Sequence, residues 1–266
     1  MSFDRRALPE GGHVLVPTHL EREGFLIAFT ERDGGVGAGA FASLNLSLVV
    51  GDDPSTVAEN RRRVVAGLGV DRFACPEQVH GAVIAEVDRG RSGAGFDDPG
   101  SRLPRADGVA TDIAGLPIAV LSADCLPIAL ASPRQGRLVL IHAGWRGLAA
   151  GIVAEAVATF EDPGDVLAAI GPAVAGHHYD VGEEVAAAVS RAVGDGRSVE
   201  RRSGELRVDL PVAAITAMGA TGVRRIANAG LCTVCEEARF FSHRRDVGLT
   251  VGVRTGRHGV VAVRLE

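Results

Sequence analysis

The sequence predicts a mixed α/β fold, and three observations carry that prediction. Segments with helical spacing alternate with short apolar runs bounded by turn residues, with no clean linker and no obvious short repeat. Apolar residues make up 46% of the chain and aromatics only 4%, so a substantial core must be built mainly from Ala, Val, Leu and Ile. Glycine, at 35 residues, supplies many tight loops. One domain over residues 1–266 is the simplest organisation.

In chain order, residues 1–22 read as a loose lead-in and FLIAFT (25–30) as a strand, followed by a Gly-rich loop at Gly34–Gly39. Asp52-Asp53-Pro54-Ser55 signals a helix start, and TVAENRRRVVAGLG continues with helical spacing to a glycine stop. AVIAEVD (82–88) reads as a strand and RGRSGAGFDDPGSRLPR as a polar surface loop. DGVATD, LPIAVL, LPIALA and RLVLIHA have the length and apolar character of buried strands. GLAAGIVAEAVATF reads as a helix and DVLAAIGP as a strand. EEVAAAVSRAV and RVDLPVAAITAMG read as helices, VRRIANAG and GVVAVRL as late strands.

The net charge of −5 argues against a general nucleic-acid binder. Lysine is absent, and arginines cluster at Arg61-Arg62-Arg63, Arg201-Arg202 and Arg244-Arg245. A guanidinium can fork onto phosphate, but it is equally an ordinary surface group. The first residues lack the apolar core of a signal peptide, and no apolar run approaches the ~20 residues of a membrane span. A cytoplasmic protein with no membrane partner is expected. Cys75, Cys125, Cys232 and Cys235 read as thiols rather than a disulfide framework.

The chemistry concentrates in three segments: His80 in PEQVHGA, Cys125 in SADCLPI and His142 in LIHAGWRG. Each lies near a strand end or loop entry. Their long separations match no zinc finger but suit a site assembled by the fold. Thiolate and imidazole are good Zn²⁺ ligands, and three of them leave a fourth position for water or substrate. Such an ion lowers the pKa of bound water to about 7 and keeps a thiol deprotonated. The residues alone leave open the plainer reading of a packed thiol and two structural histidines.

Those three segments resemble the metal motifs of the YfiH family. This group was first labelled polyphenol oxidase or multicopper laccase domain, and later linked to purine nucleoside phosphorylase activity and peptidoglycan editing. The resemblance runs nearly end to end, through FTERDGGVGAGAFASLNLSLVVGDDPSTVAENRRRV, ADGVATD, IGPAV with YDVGEEV, LCTVC, and FFSHRRD followed by RTGR. It implies a four-layer α/β/β/α sandwich with mixed β-sheets, and zinc at His80, Cys125 and His142. It also implies phosphorolysis of adenosine, inosine, guanosine or 5′-methylthioadenosine, with adenosine deamination beside it. The chain departs from the pattern at AGHHYDVG, where many relatives have a cysteine near the positions of His177 and His178. Those histidines either visit the metal or occupy a solvent-facing turn. GGVGAG also lacks a serine that relatives often carry.

A four-copper laccase needs many histidines, typically in H-x-H pairs. This chain has eight, with no H-x-H. A His₂Cys set also resembles a blue-copper ligand list, but no suitable Met or second cluster is evident. Zn²⁺ is favoured, with Cu²⁺ and polyphenol oxidation as the weaker alternative.

Further candidates surround this set. Arg146 could hold a phosphate beside the metal, or stack on Trp145. Arg32, Asn45 and Arg61 are candidate phosphate or ribose contacts, or else turn, cap or ion-pair residues. Asp124 could orient a ligand histidine, accept a proton, or serve a strand-end turn. His243 is a candidate lining residue, with Arg244 and Arg245 closing the site. Cys232 and Cys235 form a lone C-x-x-C, a weak signal for redox or metal chemistry against the reading of thiols near a turn. No P-loop, nucleophile elbow or dinucleotide fingerprint occurs.

The favoured reading is a zinc-dependent purine nucleoside phosphorylase with Cys125, Arg146 and Asp124 in catalytic positions. A second reading makes Cys125 the nucleophile of a cysteine hydrolase or amidase acting on a cell-wall precursor, paired with His80 or His142. A third is a non-enzymatic, zinc-stabilised binding module.

Overall fold

The structure, a computed structural model, describes residues 1–194, 196–247 and 254–266. Its helices begin and end where local chemistry dictates. The Pro54–Leu68 helix starts at Asp53, whose carboxylate accepts from the N–H groups of Ser55 (2.9 Å) and Thr56 (3.0 Å), with Pro54 at a position that needs no N–H donor. It stops at Gly69, which takes the left-handed conformation at φ 67° that a side chain would resist.

Two sheets stack face to face. One is antiparallel throughout, in the order Phe3–Ala7, His13–Pro17, Phe25–Thr30, His258–Arg264, Ile118–Ser122. The other is mixed, in the order Arg225–Asn228, Leu167–Ile170, Leu126–Ser132, Arg137–Ala143, Gly108–Thr111, Ile84–Glu86, with a parallel pair at each edge. Strand periodicity of two sorts the side chains between layers. Phe25, Ile27 and Phe29 of the first sheet meet Ala129, Ala131 and Ala169 of the second between the sheets. The large rings on one side face the small residues on the other. Gly171 carries this furthest, because a Cβ there would sit 2.2 Å from the Phe29 ring.

The opposite faces are covered by helices. Ile128, Leu130, Val139 and Ile141 pack under Leu148, Ile152, Val153, Val189 and Ala213. Ala119, Leu121 and Val261 pack under Val64 and Val65 of the Pro54–Leu68 helix, together with Leu44, Leu46, Phe73 and Phe96. Helix, sheet, sheet and helices therefore form the four layers that the sequence resemblance implies.

Several elements differ from the sequence reading. The 1–22 segment is not a loose lead-in: it forms the Phe3–Ala7 and His13–Pro17 strands and a short helix, Thr18–Glu21. Val14 and Val16 are buried and the outer strand is mostly exposed, the character of a sheet edge. GLAAGIVAEAVATF is two helices, Trp145–Ala149 and Ile152–Ala158, broken at Gly151 with φ 85°. RVDLPVAAITAMG divides at Asp209 into the end of strand Glu205–Val208 and helix Leu210–Ala220, because Asp209 caps the helix through the Val212 N–H. The supposed surface loop 89–105 buries Phe96 and ends in strand Leu103–Arg105. Among the described residues, no helix is long and apolar enough to cross a membrane.

Candidate metal centre

The strand Ile118–Ser122 belongs to one sheet and Leu126–Ser132 to the other, so Ala123-Asp124-Cys125 is the step between them. The antiparallel register pairs Leu126 with Ala143 and Pro127 with His142. Continued by one residue, it sets Cys125 against Gly144. A Cβ on Gly144 would lie 2.9 Å from Cys125 Sγ and 3.2 Å from His80 Cδ2, so only glycine leaves room for the cluster. His142 follows Leu138 and Leu140 on the inter-sheet face, at the end where the two sheets part.

His80, Cys125 and His142 offer donor atoms that all lie within 4.8 Å of one another. The two imidazoles meet edge to face, 4.9 Å between centroids. The residue that organises them is Asp107, which is fully buried at the head of the neighbouring Gly108–Thr111 strand. Its carboxylate accepts from His142 Nδ1 at 2.9 Å and from the backbone N–H groups of Val79 (3.1 Å), His80 (2.8 Å) and Gly81 (2.6 Å). The bond to Nδ1 leaves His142 Nε2 as the metal-facing nitrogen, a carboxylate–histidine arrangement common at metal sites. The three backbone bonds hold His80 at φ 62°, a conformation that only a firmly tied non-glycine residue keeps.

The charges are coupled. Burial pushes the Cys125 thiol up, but the two imidazoles, His142 foremost, outweigh it and bring its pKa down to about 6. Burial likewise disfavours charge on His142, yet the Cys125 thiolate and the Asp107 carboxylate raise it to about 9. Burial works against the Asp107 carboxylate too. His142 and the backbone donors prevail and hold it below the usual range. A soft, negative sulfur among nitrogens whose tautomer is set fits a divalent cation of the zinc or copper type.

This set opens onto a cleft of about 720 Å³. Arg61, Arg102, Arg146, Arg244 and Arg257 line it, and none of the five pairs with a carboxylate among the described residues. Arg61 is buried, its guanidinium donating to the carbonyls of Leu46 (2.7 Å), Gly95 (2.5 Å) and Phe96 (2.7 Å). Arg257 is largely buried, donating to the carbonyls of Thr255 (2.9 Å) and Gly256 (3.0 Å). Arg146 lies 4.4 Å over the Trp145 ring, and Arg244 lies 5.0 Å over Tyr179. Trp145, Tyr179 and His243 also line it. Burial, and then Cys125, raise the Tyr179 hydroxyl to about 12, so it remains a donor at neutral pH. Burial, followed by the Arg257 charge, holds His243 down in its neutral form.

Two sequence candidates lie elsewhere. Arg32 donates to Ala42 O (2.8 and 2.7 Å) and to Glu237 O (3.3 Å), and stacks on Phe241; it does not line the cleft. Asn45 is fully buried and also outside the lining. Its Oδ1 accepts from the Arg257 N–H at 2.9 Å, so it holds the Arg257 backbone in place. Asp124 does line the cleft, with φ 86°, but its carboxylate accepts from Thr233 Oγ1 (2.5 Å) and the Arg244 N–H (2.6 Å). The histidine-orienting place considered for it belongs to Asp107. His177 and His178 stand away from the centre, beside Cys232 and Cys235; the four form a second His/Cys cluster that sequence reasoning did not join, because two distant segments meet only in the fold. Sequence reasoning missed Asp107 and Arg257. The available signals were an Ala-Asp-Gly at the head of a buried strand and an arginine just before the last one.

A four-layer α/β/β/α sandwich with a His₂Cys set at the seam of its two sheets defines a mixed α/β enzyme built around a metal-binding cleft. Residues 26–264 match the family model described as multi-copper polyphenol oxidoreductase laccase, and the chain belongs to this laccase-domain, or YfiH, family. It is 39% identical over 239 residues to purine nucleoside phosphorylase YlmD of Geobacillus stearothermophilus, covering 85% of this chain and 87% of that protein. It is 41% identical over 224 residues to a purine nucleoside phosphorylase of Streptomyces coelicolor, covering 82% and 89%. The crystal structure of the Geobacillus YlmD superposes with a TM-score of 0.92 at 37% identity, covering 99% of each chain. That of Bacillus licheniformis hypothetical protein YfiH gives 0.88 at 30% identity, covering 95% and 96%.

Proposed function

We propose that this protein is a zinc-dependent purine nucleoside phosphorylase, acting on adenosine, inosine, guanosine or 5′-methylthioadenosine. The observation that carries the reading is a three-donor centre in a cleft ringed by five arginines that lack carboxylate partners. Such a ring suits an anion as ligand, and forked guanidinium contacts match phosphate oxygens. The similarity to proteins named purine nucleoside phosphorylase supplies the second substrate class.

In phosphorolysis a phosphate oxygen forms a bond to the anomeric carbon of the ribose. The bond from that carbon to the purine nitrogen breaks, and the electron pair leaves on the base, which takes up a proton. Arg146, Arg257 and Arg244 hold the phosphate charge; Trp145 and Tyr179 offer ring faces to the purine. The Tyr179 hydroxyl donates to a ligand acceptor. Asp107 keeps His142 and His80 aimed at the centre. When bound by His80, Cys125 and His142, zinc supplies a fixed positive charge next to the anion and a Lewis acid with an open position. The same three donors, were they to hold zinc, would also suit hydrolytic deamination of adenosine. Four cysteines as thiols agree with a reducing, cytoplasmic location.

The family's description points instead to copper oxidation. Only His80 and His142 of the eight histidines stand at this centre, too few for a multi-copper cluster. A different observation favours the cysteine-hydrolase reading. Cys125, His142 and Asp107 form a line in which a base faces the thiolate and a carboxylate orients the base. That line leaves His80 without a role, whereas a metal uses both imidazoles.

One experiment separates these readings. Purified protein is assayed for its metal, then incubated with adenosine and with inosine, with and without phosphate. Free base plus ribose 1-phosphate, lost on chelation and restored by zinc, is the expected result. Inosine from adenosine reports deamination. Activity that survives chelation and dies with iodoacetamide would establish the cysteine enzyme instead.

A further inference from the structure

We infer that His177, His178, Cys232 and Cys235 hold a second metal ion, a zinc-type divalent cation, in a closed structural site at the rim of the cleft. Their donor atoms all lie within 4.8 Å of one another. In a tetrahedral zinc site, Zn–S of about 2.3 Å and Zn–N of about 2.0 Å put donors ~3.6 Å apart, so closure asks for only a small contraction. His177 Nε2 already stands 3.2 Å from Cys235 Sγ, and the two rings lie 4.5 Å apart between centroids.

The donor set comes from two segments that the backbone holds in register. Ala173 and Cys232 form a β-bridge, with Ala173 N–H donating to Leu231 O at 3.2 Å and Thr233 N–H to Ala173 O at 3.0 Å. Cys232 Sγ accepts from the Ala175 N–H at 3.4 Å, an orientation that turns the sulfur toward the His177 loop. A C-x-x-C on one turn facing two imidazoles on another is a soft S₂N₂ set, which selects zinc over harder cations. A third grouping, His13, Glu31 and Asp33, shows the contrast. Glu31 is bound by Arg5 and Arg239, and Asp33 by His13, so its charges are already met. Among the described residues, no carboxylate pairs with His177 or His178.

Four protein donors leave no open position, so this ion would clasp rather than catalyse. One of the segments it joins carries Val174 and Tyr179, and the other leads to His243 and Arg244, all on the cleft wall. Thr233, next to Cys232, also donates to Asp124. The clasp therefore fixes one wall of the cleft without touching its contents.

The test is metal counting on the full chain, loaded with excess zinc and desalted. Wild type should retain two equivalents per chain, Cys125→Ser one, Cys232→Ser/Cys235→Ser one, and the triple variant none. Because Cys232 is buried, Cys235→Ser and His177→Ala serve as the gentler variants, each lowering affinity at one equivalent only. Cobalt-loaded Cys125→Ser protein should keep a thiolate-to-cobalt absorption band. One equivalent in wild type that vanishes with Cys125→Ser overturns the inference and leaves the deep centre intact. So does wild-type protein lighter by two hydrogens, with a Cys232–Cys235 disulfide and one zinc.

Discussion

The two His/Cys clusters use the same side chains and differ in depth, donor number and surroundings. The deep one has three donors, of which only His80 is exposed, and a buried carboxylate sets the tautomer of His142. It faces a cleft lined by five arginines that pair with no carboxylate among the described residues. The rim cluster has four donors, no carboxylate paired with its histidines among the described residues, and two exposed members, His177 and Cys235. Donor chemistry alone does not separate a reactive centre from a clasp. What separates them is whether a coordination position stays open and what stands around it.

Breaking the deep cluster should have the largest effect. On the proposed zinc reading, removing a ligand would delete a fixed charge beside the phosphate, worth several kcal/mol of transition-state stabilisation, so Cys125→Ser and His142→Ala should each lower phosphorolysis by about 10³-fold. The readout is kcat/KM for inosine, with circular dichroism confirming that the fold is retained. A turnover loss below tenfold would transfer the chemistry elsewhere.

Asp107→Asn comes next. The amide cannot accept from His142 with a full charge, and its NH₂ has no acceptor among the N–H groups of Val79, His80 and Gly81. Zinc affinity and activity should each fall by roughly 10–100-fold, measured by competition with a chromogenic chelator. Arg257→Ala sharpens the same comparison from the substrate side. Deleting a charged donor to phosphate costs about 1.5–3 kcal/mol, so KM for phosphate should rise by about 10–100-fold while zinc content is unchanged. Cys235→Ser at the rim should instead lower Tm by several degrees and leave kcat within about threefold, the mark of a site that clasps rather than reacts.

This contrast also explains what the sequence could show. The strands 118–122, 126–132 and 137–143 were legible because both sheet faces are covered and their apolar runs are uninterrupted. The edge strand 3–7 was not, because FDRRA is mostly exposed and carries no apolar alternation. His80, Cys125 and His142 were found through their motifs, and the fold brings them together. Asp107 was missed because a carboxylate acting through a histidine leaves no spacing signature of its own. Arg32 and Asn45 were misplaced because arginine and asparagine bind carbonyls and loop N–H groups as readily as phosphate. The rim cluster was visible only as two unrelated fragments, His177-His178 and C-x-x-C. The β-bridge that unites them is a tertiary event.

A histidine in neither cluster supplies the smallest predicted effect and the baseline for the others. His258 is fully buried against Phe240 and Phe241, and neither ring nitrogen has a hydrogen-bond partner. Burial first, then the charges of Arg257, Arg32 and Arg245, depress its pKa from 6.5 to about 3, with Glu31 opposing weakly. The unfolded chain therefore binds a proton that the folded chain refuses between those two values, so stability is full above about 6.5 and is lost as pH falls toward about 3. His258→Leu keeps an apolar body in that site and removes the titration. At pH 7 its Tm should lie within a few degrees of wild type. Between pH 7 and pH 5, wild type should lose more Tm than the variant does, and the difference isolates His258 from acid loss of metal, which both proteins share. Equal slopes would mean that the histidine carries its proton inside the fold.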